Sequence, residues 1–225
     1  MNTTECSTEC TKELSNTLYY KKLDSDPTVT YNNTIKRALQ EGIDKREFDM
    51  KIGHALLQPH PTPAQDDIDF LRKVYQINNR GPLPPDTLLC TMDVSGLYTN
   101  IPHEEGLTAC WTALEADRER GAESSSSFLC RLIHLILSLY FFTFSDNTYL
   151  QVHGTAMSTC MAPTYANIFM GAIETGLLYA FPDKPLVWLR YIDDIFLIWT
   201  HGRAKLEAFI AHANTFTPPL NSQAV

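Results

Sequence analysis

What this chain lacks sets its first limits. It has no excess of positive charge, with 18 Lys+Arg against 26 Asp+Glu and a formal net charge of −8. The deficit is uneven: residues 1–80 hold 11 basic and 12 acidic side chains, a net of −1, whereas residues 81–225 hold 7 and 14, a net of −7. A protein that grips nucleic acid unaided usually carries a basic footprint. Either nucleic acid is not the partner, or the basic part is missing. The chain also lacks any CxxC pair. Cys6 and Cys10 could share a helical face, but a zinc site needs two more ligands, and no spacing supplies them. Its cysteines are expected to be reduced, mostly buried thiols of an intracellular protein. The polar start "MNTTECSTEC" has no secretory apolar core. The longest apolar run, Leu132–Phe144, is broken by His134, Ser138 and Thr143, so no membrane span is expected. There is no internal repeat. What is present is 225 residues, 44% hydrophobic and 20% charged, which suits one large globular domain or one and a half ordinary ones.

Pattern along the chain predicts the following organisation. Residues 1–56 read as a polar, helical N-terminal region, loosely attached, with weak apolar spacing at Ile35, Leu39, Ile43 and Phe48. Residues 57–67 contain closely spaced prolines and read as a junction without regular structure. A helix follows, capped by Asp66 or Asp67, with Ile68, Leu71, Val74, Tyr75 and Ile77 at helical spacing. Leu88–Val94 reads as a buried strand with Asp93 at its end. Helices are expected over 104–120 and 128–140, the second capped by the last serine of "SSSS" and carrying Phe128, Leu132, Leu135, Ile136 and Leu139. "FFTFSDNTYLQV" reads as a hairpin with strands at 141–144 and 148–152. "TYANIFMGAIETGLLYA" is apolar on most sides and should be a well-buried helix. Strands at 187–192 and 195–199 flank a tight turn, a closing helix follows, and 217–225 is a tail. The fold class is α+β: a small antiparallel sheet with helices on one face and carboxylates on the other.

The chemistry concentrates in "VWLRYIDDIFLIWT", where Asp193 and Asp194 interrupt an apolar run. Withdrawing carboxylates from water costs several kcal/mol each unless something compensates, and two together repel. A hairpin would present them at its tip, with Asp93 as the third carboxylate. Converging carboxylates suit Mg²⁺, a hard cation that prefers oxygen. Two such ions can activate a hydroxyl and neutralise a leaving pyrophosphate. Turn chemistry alone also places aspartates in hairpins.

Three stretches in order resemble the reverse transcriptases. "YIDD" at 191–194 looks like their catalytic box, "MDVSGLY" at 92–98 like their first carboxylate motif, and "GTAMSTCMAPTYANIFM" at 154–170 like their nucleotide- and template-positioning segment. The longer strings "DVSGLYTNIPHEEG", "FLRKV" and "APTYANIFMG" are most similar to Penelope-like retroelements, over about residues 66–215 and, more loosely, 18–41. The resemblance implies a polymerase palm at 68–216 that performs RNA-directed DNA synthesis. It implies two Mg²⁺ ions, for which Mn²⁺ could substitute, a nucleic-acid template-primer and dNTPs as partners, no membrane, and a nuclear or cytoplasmic location. Asp93 and Asp193 would be the shared metal ligands and Asp194 the accessory carboxylate. Tyr98 would lie under the incoming sugar and exclude a 2′-hydroxyl. Tyr191 would brace the turn near the primer end. Gly154 would let backbone approach the nucleotide, and Met157 with Pro163 would shape the template side.

Simpler readings stand beside these. Tyr98 could be core, Gly154 a turn glycine, and Met157 and Pro163 packing and helix-start residues. His153 is not needed as a base in a metal mechanism. His134, Tyr165, Asn167 and Phe169 read as helix packing. The chain also departs from the family's pattern. Ser158 stands where glycine is usual and Cys160 where a basic residue is usual, and Cys160 cannot hold phosphate. The proline-rich junction stands where a basic fingers segment is expected, and the thumb expected beyond the palm is not found. A weakly active palm, a non-catalytic remnant or binding module that keeps the fold, and a different two-metal enzyme such as a nuclease are the readings carried forward. Tyr98 and the YIDD turn favour a polymerase over a nuclease.

Overall fold

Residues that alternate between apolar and polar must lie at a boundary between core and water, and the strand ending in Asp93 does so. The computed structural model describes residues 10–44, 63–79, 81–119, 125–215 and 220–224. It contains two antiparallel sheets. One has three strands, β1 (Tyr20–Leu23), β3 (Phe141–Phe144) and β4 (Asn147–Gln151), in the order β1-β4-β3. The other has four, β2 (Leu88–Val94), β5 (Val187–Tyr191), β6 (Asp194–Trp199) and β7 (Leu220–Ala224), in the order β5-β6-β2-β7. The helices are α1 (Thr28–Asp44), α2 (Pro63–Asn78), α3 (Leu97–Asn100), α4 (His103–Glu119), α5 (Ser126–Ser138), α6 (Ala162–Ala180) and α7 (Arg203–Ala213). The fold is α+β.

In β2, Cys90, Met92 and Val94 are buried, while Leu89, Thr91 and Asp93 are exposed. The strand is therefore one-sided rather than buried on both faces. Its inner residues join Ile195, Leu197 and Trp199 of β6 in one core with Cys110 of α4, Tyr165, Phe169 and Met170 of α6, and Leu206 and Phe209 of α7. Helices thus cover one face of the four-stranded sheet. Trp199 is fully buried, and its indole N–H donates to Gly202 O at 3.0 Å, so its polar atom is satisfied.

Several expectations need correction. The N-terminal region is not loosely attached, because β1 pairs with β4 from Tyr20↔Gln151 to Leu23↔Thr148. Tyr31 of α1 also packs its ring against Phe141 at 5.7 Å. Residues 45–62, including Phe48 and most of the proline-rich junction, lie outside the described residues. The junction's last five residues are helical, since α2 begins at Pro63. Proline is compatible with a first helical turn, where its missing N–H would have no partner. Leu71 and Tyr75 of α2 are exposed rather than buried. In α5 the buried face is Phe128, Leu129, Ile133 and Leu137, while Ile136 and His134 are exposed. The buried face runs one residue off the expected apolar stripe, and Arg131 and His134 lie on the exposed side. Its cap is Ser125, whose hydroxyl accepts from Phe128 N at 3.3 Å, not the last serine of the run. The supposed tail contains β7, which pairs with the free edge of β2. Among the described residues, no helix is long and apolar enough to cross a membrane.

Candidate functional site

Backbone register assembles the carboxylates. Strands β2 and β6 run antiparallel with Met92 opposite Ile195 and Asp93 opposite Asp194. Directly opposed residues share a sheet face, and since Met92 and Ile195 are buried, the Asp93–Asp194 pair must face outward. Both aspartates are exposed. Like charges directly opposed across strands are destabilising unless a cation lies between them. Asp193 occupies the turn itself, and its carbonyl accepts a 3.0 Å bond from Val94 N, which fastens the turn to the end of β2. Asp93, Asp193 and Asp194 therefore meet at one end of the sheet. Among the described residues, no three His, Cys, Asp or Glu side chains close into a ready-made metal cage. Mg²⁺ is commonly bound through one or two carboxylates plus water and substrate phosphates, and two opposed, exposed carboxylates match that demand.

The turn is tight. Tyr191 pairs with Asp194, so Ile192 and Asp193 are its two central residues. Asp194 begins β6 rather than sharing the turn, which shifts the expected turn by one residue. Ile192 has φ +54°. Positive φ at the first of two turn residues is the pattern of a type II′ hairpin, a position where glycine is preferred. A β-branched residue there is an outlier costing on the order of 1–3 kcal/mol.

What holds it is a group the sequence reading passed over. Arg190, two residues before Ile192, donates from Nη1 to Ile192 O at 2.9 Å and to Asn167 Oδ1 at 2.7 Å. Its Nε donates to Glu174 Oε1 at 2.8 Å, and the Trp188 indole N–H donates to the same oxygen at 2.7 Å. The Arg190 and Glu174 side chains are only 11% and 16% exposed. Arg190 is opposite Ile195 in register, so it faces the helices, away from Asp93 and Asp194. It is not the counter-charge of those carboxylates, because its charge is met by Glu174. Asn167, read as packing, is a member of this network. The available signal was a lone arginine in an apolar strand beside the doublet.

Tyr98 is half-buried and packs against the core from α3. Its hydroxyl pKa is raised, first by burial, then by the negative charge of Asp193 and by Tyr191. The structure thus brings Tyr98, Asp193 and Tyr191 into one electrostatic neighbourhood. Gly154 sits against protein backbone: a Cβ there would lie 2.4 Å from Tyr98 O and 2.6 Å from Thr99 Cα. Its φ of +69° also favours glycine. Thr155 N donates to Tyr98 O at 2.7 Å, and His103 Nε2 donates to Gly154 O at 2.7 Å. The glycine's visible role is to seat the loop before α6 upon Tyr98 and Thr99. His103 was not anticipated, and burial lowers its pKa. His153 stacks with the His103 ring at 6.4 Å and meets Tyr19 edge-on at 5.3 Å, both structural contacts. Met157 is 72% exposed and therefore not packing. Pro163 lies in the first turn of α6, as a helix-start residue should. Tyr165 and Phe169 are buried packing residues as expected.

No known family profile matches the chain, and no curated protein matches it. Solved structures do. Apo telomerase from Candida tropicalis superposes with a TM-score of 0.53 at 11% identity, over 88% of this chain and 36% of that one. The same enzyme truncated from its C-terminal domain gives 0.51 at 14% identity, over 100% of this chain and 44% of that one. Telomerase from Candida albicans, in complex with a TWJ fragment of telomeric RNA, gives 0.52 at 10% identity, over 74% and 32%. The chain spans less than half the length of these proteins. At such identities the likeness is one of fold: reverse-transcriptase-like.

Proposed function

We propose that the chain is a reverse-transcriptase palm of retroelement type, related to the Penelope-like elements, that binds divalent metal at Asp93 and Asp193 with Asp194 beside them. The observation that carries this reading is the register opposing Asp93 to Asp194 at the sheet end that also holds Asp193, Tyr98 and Tyr191. When bound, Mg²⁺ would supply charge neutralisation and activation of a primer hydroxyl in nucleotidyl transfer. The protein's own contribution is positional. The outward pair presents oxygen ligands, and the Val94–Asp193 bond fixes the turn against β2. Tyr98 offers a rigid, half-buried ring near Asp193, suited to excluding a 2′-hydroxyl. The partners in this reading are a template-primer and dNTPs.

The charge distribution favours a second reading, a remnant or binding module that keeps the fold. Residues 81–225 carry a net of −7, so they repel phosphate. Each phosphate contact that a protein lacks removes its share of counterion-release affinity. Extension of a labelled DNA primer on an RNA template should therefore be undetectable or very weak at about 150 mM salt, and any activity should rise as salt falls and vanish in Asp193→Ala. Efficient Asp193-dependent synthesis at that salt would refute the weak-grip argument. Salt-independent synthesis that survives Asp193→Ala would refute the site. Separately, Asp194→Asn should raise metal-free stability by about 0.2–1 kcal/mol by removing the opposed charge, and added Mg²⁺ should stabilise it less than wild type. Equal Mg²⁺ stabilisation of both would place the ion elsewhere.

A further inference from the structure

We infer that Arg190 is a positioning residue for the catalytic turn, one that sets the peptide plane between Ile192 and Asp193 and so aims Asp193. This rests on the proposed metal site. Ile192 holds φ +54° although its side chain is β-branched, and such a conformation persists only where the surroundings over-determine it. Two restraints bracket the Ile192–Asp193 peptide. On its N-terminal side, Ile192 O accepts from Arg190 Nη1 at 2.9 Å. On its C-terminal side, Asp193 O accepts from Val94 N at 3.0 Å. The second is a backbone bond from the end of β2 to the turn. The first belongs to a side chain, and a side chain can fix a carbonyl only if it is itself fixed.

Arg190 is fixed at several points. Its Nε is held by Glu174 at 2.8 Å and its Nη1 by the Asn167 carboxamide at 2.7 Å, while Nη2 reaches Asn167 O at 3.4 Å. Glu174 is in turn held by Trp188. Guanidinium is planar, so pinning Nε leaves Nη1 little freedom of direction. Both acceptor residues lie on α6, the helix that follows the Gly154 loop seated on Tyr98. The orientation of the turn is thus referred to the same helix that carries the loop against Tyr98. The competing account is that Arg190 and Glu174 merely tie helix to strand. That account predicts a change in overall stability with no selective change at the turn.

Removing Arg190 alone would leave Glu174 as an unpaired buried charge and risk unfolding. The informative protein is the full chain carrying Arg190→Met with Glu174→Gln, in which the amide oxygen can still accept from Trp188. A second variant, Asn167→Ala, keeps the ion pair and removes one of the restraints on the guanidinium. Two readouts are used on each. Amide hydrogen exchange, without metal, follows Val94 N, whose acceptor is Asp193 O, with Leu197 N of β6 as the reference. Titration with Mn²⁺ alone, followed by electron paramagnetic resonance of the free ion, gives the affinity removed by Asp193→Asn.

In the double variant, exchange at Val94 should quicken about tenfold or more relative to Leu197, and the Asp193-dependent Mn²⁺ affinity should fall about tenfold. Asn167→Ala should give a smaller change in the same direction. A folded double variant with unaltered Val94 exchange and unaltered Mn²⁺ affinity overturns the inference. If wild type shows no Asp193-dependent Mn²⁺ binding, the metal reading fails, and Val94 exchange alone still decides whether Arg190 orients the turn.

Discussion

Replacing Gly154 by alanine tests how the loop before α6 is seated. The new Cβ would stand 2.4 Å from Tyr98 O and 2.6 Å from both Thr99 Cα and Thr99 O. Non-bonded carbon atoms rest at about 3.5–4.0 Å, so loop and α3 must part by roughly 1 Å. These obstacles are backbone atoms, which cannot swing aside as a side-chain tip can. Parting them by that much stretches the 2.7 Å bond from Thr155 N to Tyr98 O beyond useful hydrogen-bond length. Thr155 is only 3% exposed, so water does not readily replace the lost acceptor. The positive φ adds about 1–2 kcal/mol for a residue with a Cβ, and a buried donor left unpaired about 1–3 kcal/mol. Gly154→Ala should therefore destabilise the chain by about 2–5 kcal/mol, the sum of those two effects. Gly202→Ala is the control, because its φ is +81° but nothing lies within 4 Å of its Cβ. At φ +81° and ψ 160° it occupies a different glycine region, so it should lose only its own conformational part, about 1–3 kcal/mol. Urea unfolding measures both. Because the two ranges overlap, hydrogen exchange at the Thr155 amide is the deciding measurement. It should accelerate in Gly154→Ala and stay unchanged in Gly202→Ala. Unchanged Thr155 protection in a destabilised Gly154→Ala would refute the contact argument and leave backbone strain as the whole effect.

Two further outcomes follow from buried polar groups. The Tyr165 hydroxyl is buried without a hydrogen-bond partner, and burial raises its pKa well above the ordinary tyrosine value, so it stays neutral. Tyr165→Phe removes a desolvated group that gains nothing, and thermal unfolding should show unchanged or higher stability, by up to about 1 kcal/mol; a loss beyond 1 kcal/mol would reveal a partner for the hydroxyl. His103 has its pKa lowered mainly by burial, with the bond to Gly154 O opposing and His153 and His134 adding to the lowering. The unfolded chain then binds more protons below the ordinary histidine pKa of about 6.5, so stability present above that value is lost as pH falls through the lower folded value. Urea midpoints at about pH 7.5 and 5.5 should differ less in His103→Gln than in wild type, and an identical acid loss in both would assign the effect to other groups.

Local signals made much of the molecule legible in advance. The apolar run from Leu88 to Val94, the Ser-Asp-Asn turn, and the aspartate doublet inside an apolar run each carry their own short-range physics. A short apolar run bounded by turn residues makes a strand, and Ser145 and Asp146 sit where φ of 47° and 62° is needed. The cost of burying charge likewise drew attention to Asp193 and Asp194, but the structure leaves Asp194 and its partner Asp93 exposed, so that cost is not incurred.

Only the tertiary structure decided matters that depend on which surfaces meet. It chose Leu129, Ile133 and Leu137 as the buried face of α5, where the sequence pattern places Leu132, Leu135 and Ile136. It turned residues 220–224 from a tail into an edge strand of β2, since a short polar segment gains a ladder only when a free edge is offered. It opposed Asp93 to Asp194 through strand register, a relation spanning some hundred residues of chain. It also separated two charges that lie close in sequence. Arg190 lies three residues from Asp193, yet the pleat directs it to the face opposite Asp93 and Asp194, where Glu174 meets it. Successive strand residues point to opposite faces, and a turn reverses the chain, so nearness in sequence did not determine which charges would face one another.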